Sequence, residues 1–163
     1  MSISVMLLFV GCSKPAQTNQ NANESAPSAQ SDSSAQSQAP TPLMDAVTSG
    51  NAEEVRRLLD SNVAADAATS EGVTPLMNAA GMGNKEIVQM LVAKGANVNA
   101  KTNGNYTVLM SAALNGQKEI VGLLLDAGAD PKLKTTGGKT AAMYAEEGKH
   151  KEIVDLLKRR GGA

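Results

Sequence analysis

TPLMNAAGMGNKEIVQMLVAKGANVNA, residues 74–100, reads as two short helices separated by a break. Thr74 is a good N-cap, and Pro75 after it has a helical φ and no N–H to leave unpaired, so a helix is predicted to start there. Leu76, Ala79 and Ala80 give that helix a slim apolar face. Gly83 is placed to end it, because glycine adopts φ > 0 at little steric cost. Asn84 opens a second helix in which Ile87, Val88, Leu91 and Val92 follow the 3.6-residue period. Glu86 lies near its positive end and Lys94 near its negative end. Gly95 is expected to close it as a left-handed cap.

A step of 33 residues carries Thr74 back to Thr41 and forward to Thr107 and Thr140. The same step links Met44, Met77, Met110 and Met143, then Ala46, Ala79, Ala112 and Ala145. It also links Val55, Val88, Val121 and Val154, and Leu58, Leu91, Leu124 and Leu157. These columns define four repeats, 41–73, 74–106, 107–139 and 140–163. A Thr-Pro-Leu opening on this period resembles the ankyrin-repeat family over residues 41–163. The resemblance implies an all-α solenoid of helix–turn–helix repeats with projecting hairpin loops.

The repeats are not equivalent. The first carries Glu53, Glu54, Arg56, Arg57 and Asp60 in its second helix, and Asn62 replaces the glycine cap. The third has Val108 where proline is preferred. The fourth has Lys149 where Gly83 and Gly116 stand, and Lys158 where Val92 and Leu125 stand. Polar outer faces suit terminal capping repeats, so the first and fourth are expected to close the stack.

A chain of 163 residues with a formal net charge of −1 has room for one domain and a tail, with no electrostatic drive toward nucleic acid. Aromatic content of 2% suits slim stacked helices, which need few rings to fill their core. The single cysteine, Cys12, excludes an internal disulfide and a multi-cysteine zinc site within one chain. His150, the only histidine, falls on the pre-helix position of Asn51, Asn84 and Gln117 and is expected at the surface. Glu54, Glu86, Glu119 and Glu152 mostly recur in the first turns of second helices, as dipole partners rather than a catalytic pair. No nucleophile–base set, phosphate-binding loop or ligand cluster emerges, so the chain is read as non-enzymatic, without metal or cofactor. The methionine column could suggest a thioether ladder for copper(I). Packed helices lie about 8–10 Å apart, however, so the sulfurs would not converge, and core packing is the expected role.

Residues 1–11 read as a signal peptide, since the apolar run before Cys12 is far short of the roughly 20 residues that span a bilayer. Leu8-Phe9-Val10-Gly11-Cys12 resembles a bacterial lipobox, with Phe9 where leucine is commonest and no basic residue before the apolar core. The resemblance implies a diacylglycerol on the Cys12 thiol and cleavage after Gly11. Ser13 stands where aspartate is the usual inner-membrane retention signal, which implies the periplasmic face of the outer membrane. Residues 12–40 form a linker rich in Ser, Ala, Gln and Asn, too polar to offset its chain entropy by burial. As a flexible tether it would span roughly 30 Å.

In ankyrin-like repeats the partner is met by the hairpin tips and the exposed side of the first helices. The matching tip residues are Val73, Asn103, Tyr106 and Lys139. On the helices they are Asn78, Met82, Ser111, Leu114 and Tyr144. Tyr106 is expected to project from its tip without supporting the stack. The expected function is that of a monomeric, lipid-anchored adaptor or scaffold that binds another protein in the bacterial envelope. An inhibitor or immunity protein that blocks a toxic enzyme, or a cytosolic binding protein if the signal is unused, are the competing readings.

Overall fold

Threonine starts every repeat in the computed structural model, which describes residues 41–161. The expected signal segment, Cys12 and the linker lie outside the described residues. The Oγ1 atoms of Thr41, Thr74, Thr107 and Thr140 accept hydrogen bonds from the backbone N–H of Met44, Met77, Met110 and Met143 at 3.2, 3.3, 3.4 and 3.5 Å. Each cap satisfies an N–H that the first turn cannot pair internally. Thr107 does this before Val108, so the third repeat starts like the others without proline.

The caps open the first helices of the four repeats: α1 (Pro42–Thr48), α3 (Pro75–Met82), α5 (Val108–Leu114) and α7 (Ala141–Glu147). The second helices are α2 (Ala52–Asp60), α4 (Lys85–Ala93), α6 (Lys118–Asp126) and α8 (Lys151–Arg159). Among the described residues no strand forms, and a single antiparallel bridge joins Lys101 to Thr107 across a hairpin loop.

The backbone reverses where glycine was expected to allow it. Gly83, Gly95 and Gly128 have φ of 81°, 84° and 91°, and Asn62 takes the same region at 60° in the first repeat. Lys149 occupies it at 60° without glycine's freedom. A Cβ on Gly95 would meet nothing within 4 Å, so substitution there strains the backbone alone. Gly95→Val is therefore expected to cost about 1–3 kcal/mol. An unchanged thermal midpoint in that variant would contradict the assigned cap.

Small side chains set the shape of the stack. Ala79, Ala80, Ala112, Ala113, Ala141 and Ala145 are essentially inaccessible, and the first helices approach one another more closely than the second helices do. Closer packing on one side bends the stack toward the first helices. The second helices contribute Ile87, Val88, Leu91, Ile120, Val121, Leu124, Ile153 and Leu157 to one continuous core. On their outer side, Arg56 pairs with Glu86, Lys94 with Asp60, Lys118 with Glu152, and Arg160 with Asp126, each pair linking neighbouring repeats. All are exposed, so solvent screening leaves each a weak contributor to stability.

One expectation is corrected. Met44, Met77 and Met110 are core residues, but Met143 is 48% exposed, because no described repeat follows to cover it. His150 stands at the entry of α8 as expected, partly exposed, with Nε2 3.2 Å from the carbonyl oxygen of Leu114. Its ring packs over Gly116, where a Cβ would approach it to 2.5 Å, and Gln117 covers Gly83 in the same way at 2.8 Å. The start of each second helix thus leans over the break in the preceding repeat. Asn51, which no described repeat precedes, caps its own helix, accepting from the Glu54 N–H at 3.1 Å.

Candidate interaction surface

The hairpin loops are tied to one another along the stack. The Asn103 N–H donates to the Glu71 carbonyl and the Thr136 N–H to the Gly104 carbonyl, both at 3.0 Å. Below the tips, Asp66 accepts from the Asn97 N–H at 2.9 Å and Asn99 Oδ1 from the Asp130 N–H at 2.8 Å. These links hold the loops at a regular pitch beside the first helices, so tips and helices line one curved face.

Two tyrosines dominate one end of that face. The rings of Tyr106, at the second loop, and Tyr144, on α7, meet edge to face with centroids 5.2 Å apart and planes at 87°. Both are half-buried, and both pack against the core. Tyr106 therefore does not project freely, as the sequence suggested. It reaches from its loop to the ring of Tyr144 on α7. Burial first, and then the neighbouring Tyr144, push the Tyr106 phenol above the usual tyrosine range, while the polar Ser111 side chain acts the other way. The Lys139 ammonium lies 5.6 Å from the Tyr144 ring centroid and pairs with Glu147. That pairing raises the Lys139 pKa, and the ammonium, charged at neutral pH in either case, stands over the Tyr144 ring.

The other candidate residues divide into two sets. Asn78 donates from Nδ2 to Met44 Sδ at 3.1 Å, Ser111 donates from Oγ to the Met77 carbonyl at 3.3 Å, and Asn103 donates from Nδ2 to the Ser70 carbonyl at 3.1 Å. Each of these ties one repeat to the one before it, so their polar groups already have partners. Val73 is half-buried against the core. Met82 and Leu114, by contrast, are 51% and 37% exposed on the first-helix side. The structure thus gathers Tyr106, Lys139 and Tyr144 into one cluster and adds Glu147 to it. Met82 and Leu114 stand on the same face as separate apolar points.

Among the described residues no group of three or more His, Cys, Asp or Glu side chains is arranged to hold a metal ion. No buried side-chain nitrogen or oxygen among them lacks a hydrogen-bond partner. What the face offers is aromatic, thioether and aliphatic surface with a charge pair at its edge, a composition typical of contact with protein.

A family model described as ankyrin repeats, in three copies, matches residues 7–102 and again residues 101–163. No curated protein matches the chain.

Proposed function

Because the chain belongs to the ankyrin-repeat family, a protein–protein interaction module, we propose that it is a lipid-anchored adaptor of the bacterial envelope, binding another protein on its curved inner face. The observation that carries the binding reading is the exposure of Met82 and Leu114 on the same face as the Tyr106–Tyr144 pair. Tyrosine supplies large contact area at low entropy cost and is enriched among the residues that dominate binding energy. The pair is held rigid before a partner arrives, which lowers the ordering cost of association.

The envelope reading rests on Leu8–Cys12 and on the polar composition of residues 13–40. A lipid on Cys12 would hold the domain near the outer membrane, facing the periplasm, and the linker would let the inner face turn toward partners. No helix among the described residues is long and apolar enough to cross a membrane. One acyl chain binds a bilayer only marginally, whereas the diacylglycerol on Cys12 would supply two.

Metabolic labelling with a fatty-acid analogue is expected to mark the wild type and not Cys12→Ser, and the variant should leave the membrane fraction. Equal labelling of the two proteins would rule out the anchor and leave the binding face as a separate question.

A further inference from the structure

We infer that Asn103 is a site of spontaneous chemical modification, where the amide converts to aspartate and isoaspartate, and that the fold favours this site over the chain's other Asn-Gly pair, Asn115-Gly116. The inference rests on the loop and is independent of the proposed function.

The chemistry needs a backbone nitrogen free to reach the preceding side chain. The Gly104 nitrogen, losing its proton to solvent base, attacks Cγ of Asn103. A C–N bond forms, the Cγ–Nδ2 bond breaks, and the side-chain nitrogen leaves as ammonia. Water then opens the resulting succinimide at either carbonyl, giving aspartate or isoaspartate and returning a proton to the Gly104 nitrogen. Nothing is oxidised or reduced, and water is the only co-reactant.

Both residues are exposed at the loop tip, and the Gly104 N–H donates no hydrogen bond among the described residues. A single bond, from Nδ2 to the Ser70 carbonyl, restrains the Asn103 side chain. Asn115 is also exposed, but its Nδ2 donates to the Ser111 carbonyl at 2.8 Å, and the Gly116 N–H donates to the Ala113 carbonyl at 3.4 Å. Gly116 is further held at φ 74° under the His150 ring. Attack there must break one more hydrogen bond and move a packed ring.

Conversion at Asn103 removes the donor that ties this loop to Ser70 and sets a carboxylate against a carbonyl oxygen. Isoaspartate also adds a backbone methylene to the tip that carries Tyr106. The interaction face therefore gains a negative charge and a looser loop as the molecule ages.

The test is to incubate the full chain in mildly alkaline buffer and follow the amide-to-acid mass change. Cleavage after Lys101 and Lys118 releases both Asn-Gly pairs in one peptide, so fragment ions apportion the change within a single molecule. Asn103 is expected to convert about fivefold faster than Asn115 in the folded protein, the factor that one net hydrogen bond of about 1 kcal/mol makes. In urea the two rates should converge. Gly104→Ala should slow conversion at Asn103 without unfolding the loop, since a Cβ there comes no nearer than 3.9 Å to Thr102 Oγ1 and hinders only the attacking nitrogen. Equal rates at the two sites in the folded chain, or no slowing in Gly104→Ala, would overturn the inference.

Discussion

Leu91→Ala is expected to destabilise the stack by about 2–5 kcal/mol, the range for truncating a leucine in a closed core. Leu91 is fully inaccessible, on α4 in an interior repeat, so the cavity would open beside contacts to both neighbours. In a stack held by nearest-neighbour interfaces, a loss at an interior repeat weakens two couplings at once. The thermal midpoint should fall by about 10 °C or more. Leu58, one period earlier, is only half-buried, because no described repeat packs on its outer side, and Leu58→Ala should cost clearly less. Partner affinity, measured below both melting transitions, should stay at the wild-type value, since neither leucine reaches the inner face. Equal losses of stability in the two variants would contradict the repeat packing.

Tyr144→Ala is expected to act chiefly on binding. Truncating a dominant interface aromatic costs about 2 kcal/mol or more, roughly a thirtyfold loss of affinity. The half-burial of both rings adds a stability term that a freely projecting tyrosine would lack. Edge-to-face pairs contribute about 0.5–1.5 kcal/mol beyond their buried area. Tyr106→Ala should therefore lower stability as well as affinity, and the double variant should lose less stability than the sum of the single ones. Thermal melting of the four proteins gives the coupling energy, and titration with a captured partner gives the affinities. Strictly additive stability losses would mean that the ring contact contributes nothing, whereas full affinity in Tyr144→Ala would remove the aromatic cluster from the interface.

What the sequence revealed of the fold was what local chemistry determines. The Thr caps, the glycine reversals at 83, 95 and 128 and the Asn62 reversal depend on a few adjacent residues and recur at one period, so repetition made them legible. What it hid depends on distances between repeats. Tyr106 and Tyr144 lie one period and five residues apart, a spacing that no helix or strand rule pairs. Their contact follows from how closely alanine lets α5 and α7 approach. His150 was legible as a residue at a helix entry, but its contact with the preceding repeat was not, since it is Gly116 there that makes room for the ring. Met143 broke its column for the opposite reason, since periodicity says where a side chain points and not whether anything lies beyond it. The polar candidates Asn78, Ser111 and Asn103 make hydrogen bonds between repeats, a use that their residue types do not disclose.

The central claim, that the inner face is the one that meets a protein partner, can be tested before the partner is identified. A photo-crosslinking side chain placed at Leu114 on α5, and in a separate variant at Gln89 on α4, samples exposed positions on a first and a second helix of the stack. On irradiation in cells, the Leu114 variant is predicted to form a discrete protein adduct, and the Gln89 variant to remain uncoupled. A discrete adduct from Gln89 with none from Leu114 would place the partner on the outer helices and contradict the account.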